Sequence, residues 1–114
     1  MKKIYAMYVG RWQTWHEGHE WLIKQQLEKG KNCWIAIRDV EVGPGNPHTA
    51  HEVLMNISQT DFFKENSDKL HLSIIPDIES FNYGRDVGYE VIEHTPPEDI
   101  SKISGTSIRN QGKK

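Results

Sequence analysis

The sequence predicts an α/β protein: a Rossmann-like, three-layer α/β/α arrangement around a parallel sheet of four to five strands. Three observations carry that expectation. Residues 3–10, 32–38 and 70–76 are short strand-like segments separated by stretches with helical patterning. The first two are apolar on both faces, as a strand covered from two sides must be. The resulting order of strand, helix, strand, helix, strand favours parallel pairing through right-handed crossovers.

Each element has its own local reason. In residues 3–10, Ile4, Ala6 and Tyr8 alternate with Tyr5, Met7 and Val9, and Gly10 ends the run. Residues 18–29 read as a helix, with Leu22, Ile23 and Leu27 on one side and Glu20, Lys24 and Glu28 opposite. Gly30 stands where helices commonly stop. Gly43, Pro44, Gly45 and Pro47 mark residues 40–47 as a loop. Thr49-Ala50-His51-Glu52 has capping-box spacing and predicts a helix from there to about Lys64. Residues 89–93 predict a fourth strand, Pro96-Pro97 breaks the chain, and residues 104–110 read as a loop feeding a short last helix. A single domain spans residues 1–114.

Composition narrows the class. A chain of 114 residues can bury roughly two-thirds of the surface it exposes when unfolded, so it needs no disulfide or structural metal. Cys33 is the one cysteine and lies in an apolar run, which suits a reducing, cytoplasmic setting. The formal charge of -2 gives no general attraction to nucleic acid or to an anionic membrane. No apolar run approaches the ~20 residues of a membrane span. The start, Met1-Lys2-Lys3-Ile4, resembles a signal peptide for too short a stretch to predict export.

Two segments carry candidate chemistry. The first is Gly10-Arg11-Trp12-Gln13-Thr14-Trp15-His16-Glu17-Gly18-His19, which leaves the first strand and opens the first helix. His16 and His19, three apart, face the same way on a helical turn. Free N–H groups and the positive end of the helix dipole lie beside them, and Gly18 keeps the backbone approachable. Two imidazole donors at such a place make a compact phosphate site. The same spacing also fits a solvated capping pair. With His48 and His51, which repeat it, it fits a four-histidine zinc site. The second segment is Ile103-Ser104-Gly105-Thr106-Ser107-Ile108-Arg109, with hydroxyls and a glycine ahead of a helix and a cation in its first turn. That suits an anion too, and equally an ordinary capped C-terminal helix. In a parallel sheet, ligands bind beyond the carboxyl ends of the strands, which gathers residues 10–19, Asp39 and Asp77 on one rim.

Together the two segments resemble the nucleotidyltransferase superfamily of cytidylyl- and adenylyltransferases. Its hallmarks are a glycine-led HxGH turn after the first strand and an ISSTxxR-like segment near the end. Here they stand as residues 10–19 and 103–109, with Gly105 where the family often has serine. The resemblance implies that an acceptor phosphate attacks the α-phosphate of a nucleoside triphosphate and pyrophosphate leaves. By it, His16, His19 and Arg109 are catalytic. Gly10, Arg11, Gly18, Ile103, Thr106 and Ser107 hold the nucleotide and its phosphates. Mg²⁺ bridges the phosphates, mostly through water and substrate oxygens. The protein's task is then positioning and charge stabilisation.

Arg11-Trp12-Gln13 is similar to the Gly-Arg-Phe-Gln opening of adenylyltransferases of the nicotinamide-mononucleotide type. Residues 46–50 are similar to their Asn-Pro-Phe-Thr-Ala segment, which favours ATP over CTP as donor. Trp12, Lys24, Asp39 and Arg85 are candidate contacts for a small phosphorylated acceptor; for the charged ones a surface salt bridge is the alternative. The resemblance also admits a homodimer or a higher homo-oligomer. Two rival readings stay open: a nucleotide-binding module that has lost turnover and acts as a sensor or subunit, and a structural zinc protein.

Overall fold

The computed structural model describes residues 2–85 and 88–96. Its sheet begins with β1 (Tyr5–Gly10), which pairs in parallel with β2 (Asn32–Asp39), and β2 pairs in parallel with β3 (Leu70–Pro76). The strand order is β1-β2-β3. Two crossovers step across the sheet in the same direction, so right-handed connections bring both sets of helices to one face. The core has that arrangement. Tyr8, Cys33, Ile35, Ile37 and Leu70 share one side of the pleat and pack with Ile23 and Leu27, Val53 and Ile57, and Phe62 from the helices.

The first crossover is α1 (Glu17–Leu27) and the second is α2 (Ala50–Ser58) followed by α3 (Asp61–Glu65). The capping box at Thr49 is present in full: its hydroxyl accepts from the Glu52 amide at 3.1 Å, and the Glu52 carboxylate accepts from the Thr49 amide at 2.9 Å. The helix expected to run to Lys64 is instead two helices. Thr60 takes extended backbone and its hydroxyl accepts from the Phe63 amide at 3.1 Å, so it caps a new helix. The turn lets Phe62 enter the core beside Ile57.

The sheet differs from expectation in its extent. Among the described residues it has three strands, not four to five. Residues 89–93, read in sequence as the fourth strand, form no sheet pairing. The physical reason is that the segment has no buried face: Tyr89 is 75 % exposed and Val91 81 %. β1 also starts later than expected, because Ile4 reaches solvent rather than the core. No helix among the described residues is long and apolar enough to cross a membrane.

Candidate functional site

Parallel pairing puts the ends of β1, β2 and β3 on one rim, and the chain leaving β1 builds the site there. Gly10 is the last residue of β1, and Trp12 folds back over it. A Cβ on Gly10 would lie 3.1 Å from Trp12 Cε2, closer than ordinary contact, so any side chain there would press the ring outward by a few tenths of an ångström. Trp12 has φ 55°, in the left-handed region that a bulky residue rarely occupies. Its indole N–H donates to the Ala36 carbonyl at 3.0 Å, and the side chain is 6 % exposed. Trp12 is therefore a core residue in this structure, tied to the middle strand.

Gln13 then joins two loops. Its amide nitrogen donates to the His48 carbonyl at 2.7 Å, and its amide oxygen accepts from the His48 N–H at 2.9 Å. Arg11 reaches the same loop, donating to Asn46 Oδ1 at 3.0 Å. That loop closes on itself through paired bonds between Gly43 and Asn46, at 3.0 and 2.9 Å. Residues 11–16 and 43–49 thus form one hydrogen-bonded rim. The sequence motif alone does not reveal this bidentate amide staple. The available signal was a glutamine between two tryptophans, whose amide had to find partners in the backbone once buried.

His16 caps α1 with its own side chain. Its backbone is extended, and Nδ1 accepts from the Gly18 N–H at 2.9 Å. Burial depresses the pKa of this imidazole, so the ring is neutral at pH 7 and its proton sits on Nε2. That Nε2 is buried and has no partner among the described residues. His19, one turn on, stacks on His16 with ring centroids 3.9 Å apart and planes 21° apart. Burial, and then the neighbouring His16, push its pKa down from 6.5 to about 3. Its Nδ1 is likewise buried and unpartnered among the described residues.

Aromatic rings fix the pair from behind. Trp12 meets His19 edge-on at 5.1 Å, and Trp15 lies 5.3 Å from it. Trp15 packs near Phe62 at 6.2 Å, and its N–H donates to Glu20 at 3.1 Å. The arrangement offers two neutral imidazoles, held rigidly, with polar nitrogens unspent, beside the N-terminus of an eleven-residue helix. Its chemistry is hydrogen bonding to an oxygen-rich anion.

The remaining sequence candidates divide. Gly10, Arg11, Gly18, His16 and His19 come together at this rim. Asp39 ends β2 and is exposed on the same rim. Arg38 beside it is engaged with Asp77 at 2.8 Å. Lys24 lies about 9 Å along the α1 axis from Gly18 and stands over the Phe62 ring at 5.9 Å, so it is not brought to the imidazoles. Arg85 is exposed in the stretch after β3. Ile103, Thr106, Ser107 and Arg109 lie outside the described residues. No group of three or more His, Cys, Asp or Glu side chains among the described residues could hold a metal ion, so His48 and His51 do not complete a four-histidine set with His16 and His19 there.

Compared with known proteins, the chain matches no family model, no curated protein and no solved structure.

Proposed function

We propose that this chain is a nucleotidyltransferase. It moves a nucleoside monophosphate, from ATP in preference to CTP, to a small phosphorylated acceptor and releases pyrophosphate. The observation that supports this most is the stacked pair of neutral imidazoles, His16 and His19, with two unpartnered buried nitrogens at the start of α1. A neutral donor can hold a phosphate oxygen in the ground state and more tightly as charge gathers on it during transfer. Arg11 adds a cation to the same rim, and residues 103–109 supply Thr106, Ser107 and Arg109 for the departing β- and γ-phosphates. Trp12 contributes by positioning His19 rather than by touching an acceptor. Asp39 and Arg85 remain its candidate acceptor contacts.

Mg²⁺ accompanies the triphosphate in this reading. The described residues offer no three-ligand protein cage, and such an ion is held by phosphate oxygens and water more than by side chains. When bound, it would neutralise phosphate charge. The reading also carries a cytoplasmic location and a fuller Rossmann-like sheet, of four to five strands.

Pyrophosphate release, assayed with ATP and with CTP, Mg²⁺ and a panel of phosphorylated acceptors, tests the proposal. Release with one acceptor is expected. Nucleotide binding by calorimetry without release from any acceptor would replace this reading with that of a binding module.

A further inference from the structure

Three rings lie against the His19 imidazole, and they are held in different ways. The His16 ring stacks on it at 3.9 Å and is tied to the Gly18 amide through Nδ1. The Trp12 ring meets it edge-on at 5.1 Å and is tied to the Ala36 carbonyl of β2. Both of these ties end on backbone. The Trp15 ring lies 5.3 Å away, tilted by 38°, and its N–H donates to Glu20 Oε2 at 3.1 Å. Trp15 is thus the ring of the three whose polar tether ends on a side chain.

The tether has physical reasons to persist. A half-buried indole N–H needs an acceptor, and a carboxylate accepts more tightly than a neutral oxygen. Glu20 stands in the first turn of α1, where the helix dipole favours a negative charge, and it is itself half-buried. Phe62 packs on Trp15 at 6.2 Å, and the nearby cation Lys24 lies over that Phe62 ring at 5.9 Å. Adjacent residues in a helix do not face each other, so Glu20 reaches His19 through the Trp15 ring. Burial is the first cause of the low His19 pKa and the neighbouring His16 the second. What keeps His19 neutral is therefore the cover over it, to which Trp15 belongs.

We infer that Glu20 is a positioning residue: its carboxylate holds the Trp15 ring against His19 and so keeps that imidazole dry and fixed in direction. Its effect on turnover rests on the proposed transferase reading; its hold on Trp15 does not.

Imidazole NMR of His19, which needs no turnover, tests this beside kcat and KM for pyrophosphate release. Glu20→Ala frees Trp15 and lets water reach His19, so the proton affinity of His19 is expected to rise about tenfold or more. Glu20→Gln keeps an oxygen for the indole N–H and is expected to leave that affinity within about twofold. Loss of the carboxylate charge alone would lower the affinity in both variants, which is the opposite sign. Trp15→Phe keeps a ring but deletes the N–H. It is expected to act as Glu20→Ala does, and adding Glu20→Ala to it should change nothing further. In turnover, kcat is expected to fall severalfold in Glu20→Ala with KM nearly unchanged, and to recover in Glu20→Gln. Far-UV circular dichroism checks that each variant folds; if Glu20→Ala does not, Trp15→Phe and Glu20→Gln carry the same comparison. An affinity that falls or stays unchanged in Glu20→Ala, a rise as large in Glu20→Gln, or additive effects in the double variant overturns the inference. The expected NMR changes without pyrophosphate release from any acceptor would remove the transferase reading and leave the positioning role of Glu20 standing.

Discussion

His16 and His19 stack at 3.9 Å between ring centroids, closer than the ring pairs around them, which lie 5.1–6.2 Å apart. Their separation follows from the cap. Because His16 binds the Gly18 amide with Nδ1, its ring lies over the first turn of α1, where the residue three positions on must meet it. One side chain therefore caps the helix, fixes its own tautomer and leaves Nε2–H as the donor.

Loss of a donor aimed at developing phosphate charge costs turnover more than binding. His19→Ala is expected to lower kcat by about 10²-fold or more, with a smaller change in KM. His19→Asn, which restores an amide donor, should recover part of the loss. Steady-state pyrophosphate release checks both, and an unchanged kcat in the alanine variant would make the pair a structural cap only.

The same burial makes stability pH-dependent. The pKa of His19 is about 3 in the folded chain against 6.5 for an ordinary histidine. Between those values the unfolded chain binds the proton and the folded chain does not. Stability is therefore complete above about pH 6.5 and falls as pH decreases, by at most ~1.4 kcal/mol per pH unit for one such group. Urea titrations at pH 7 and pH 5 should show the midpoint dropping at the lower pH. The drop should shrink in His19→Asn, whose side chain does not titrate. An equal drop in both proteins would assign it to other groups.

Gly10 offers a third test, independent of any ligand. A methyl at this position would press on a tryptophan ring that is itself buried and tethered to Ala36, so the ring has no free direction to move. Gly10→Ala is expected to destabilise the fold by about 1–3 kcal/mol, the usual cost of overpacking. Thermal unfolding measures it. The variant should also lose activity beyond its loss of stability, because Trp12 supports His19 edge-on.

How much of this was legible in the sequence depends on whether a feature is local. β3 and the Thr49 capping box stand where the sequence puts them, since alternation and cap spacing are properties of a few neighbouring residues. The HxGH turn likewise showed that His16 and His19 face one way. Thr60 was unreadable as a cap because Asp61 and Phe62 continue the helical spacing, and only packing of Phe62 against the core explains the break. The strand expected at residues 89–93 has suitable composition, but a strand needs a buried face, and that depends on what lies across from it. Nearness to the motif makes Trp12 a candidate acceptor contact in the sequence, whereas in the structure it is buried. Its left-handed backbone, which turns the ring inward over Gly10, leaves no mark in composition.

The staple between Gln13 and His48 is the last point at which the site can be broken selectively. Gln13 is buried, and both ends of its amide meet the backbone of one residue on the neighbouring loop. Gln13→Glu keeps the shape but replaces the donor with a carboxylate oxygen facing the His48 carbonyl. Two acceptors then oppose each other in a buried place, so a loss of roughly 1–3 kcal/mol is expected. Gln13→Ala removes both bonds and should free residues 43–49 from the rim without repulsion. Hydrogen exchange distinguishes the two variants from global unfolding. The His48 amide, which donates to Gln13, should exchange faster in both, while the Val53 amide, which donates to Thr49 inside α2, should keep its protection. If nucleotide and acceptor meet across this rim, KM for the acceptor rises in Gln13→Ala while the imidazole pair, held by Trp12 and Trp15, keeps kcat within a few-fold. A collapse of kcat with an unchanged KM would instead tie the staple to the positioning of His16 and His19.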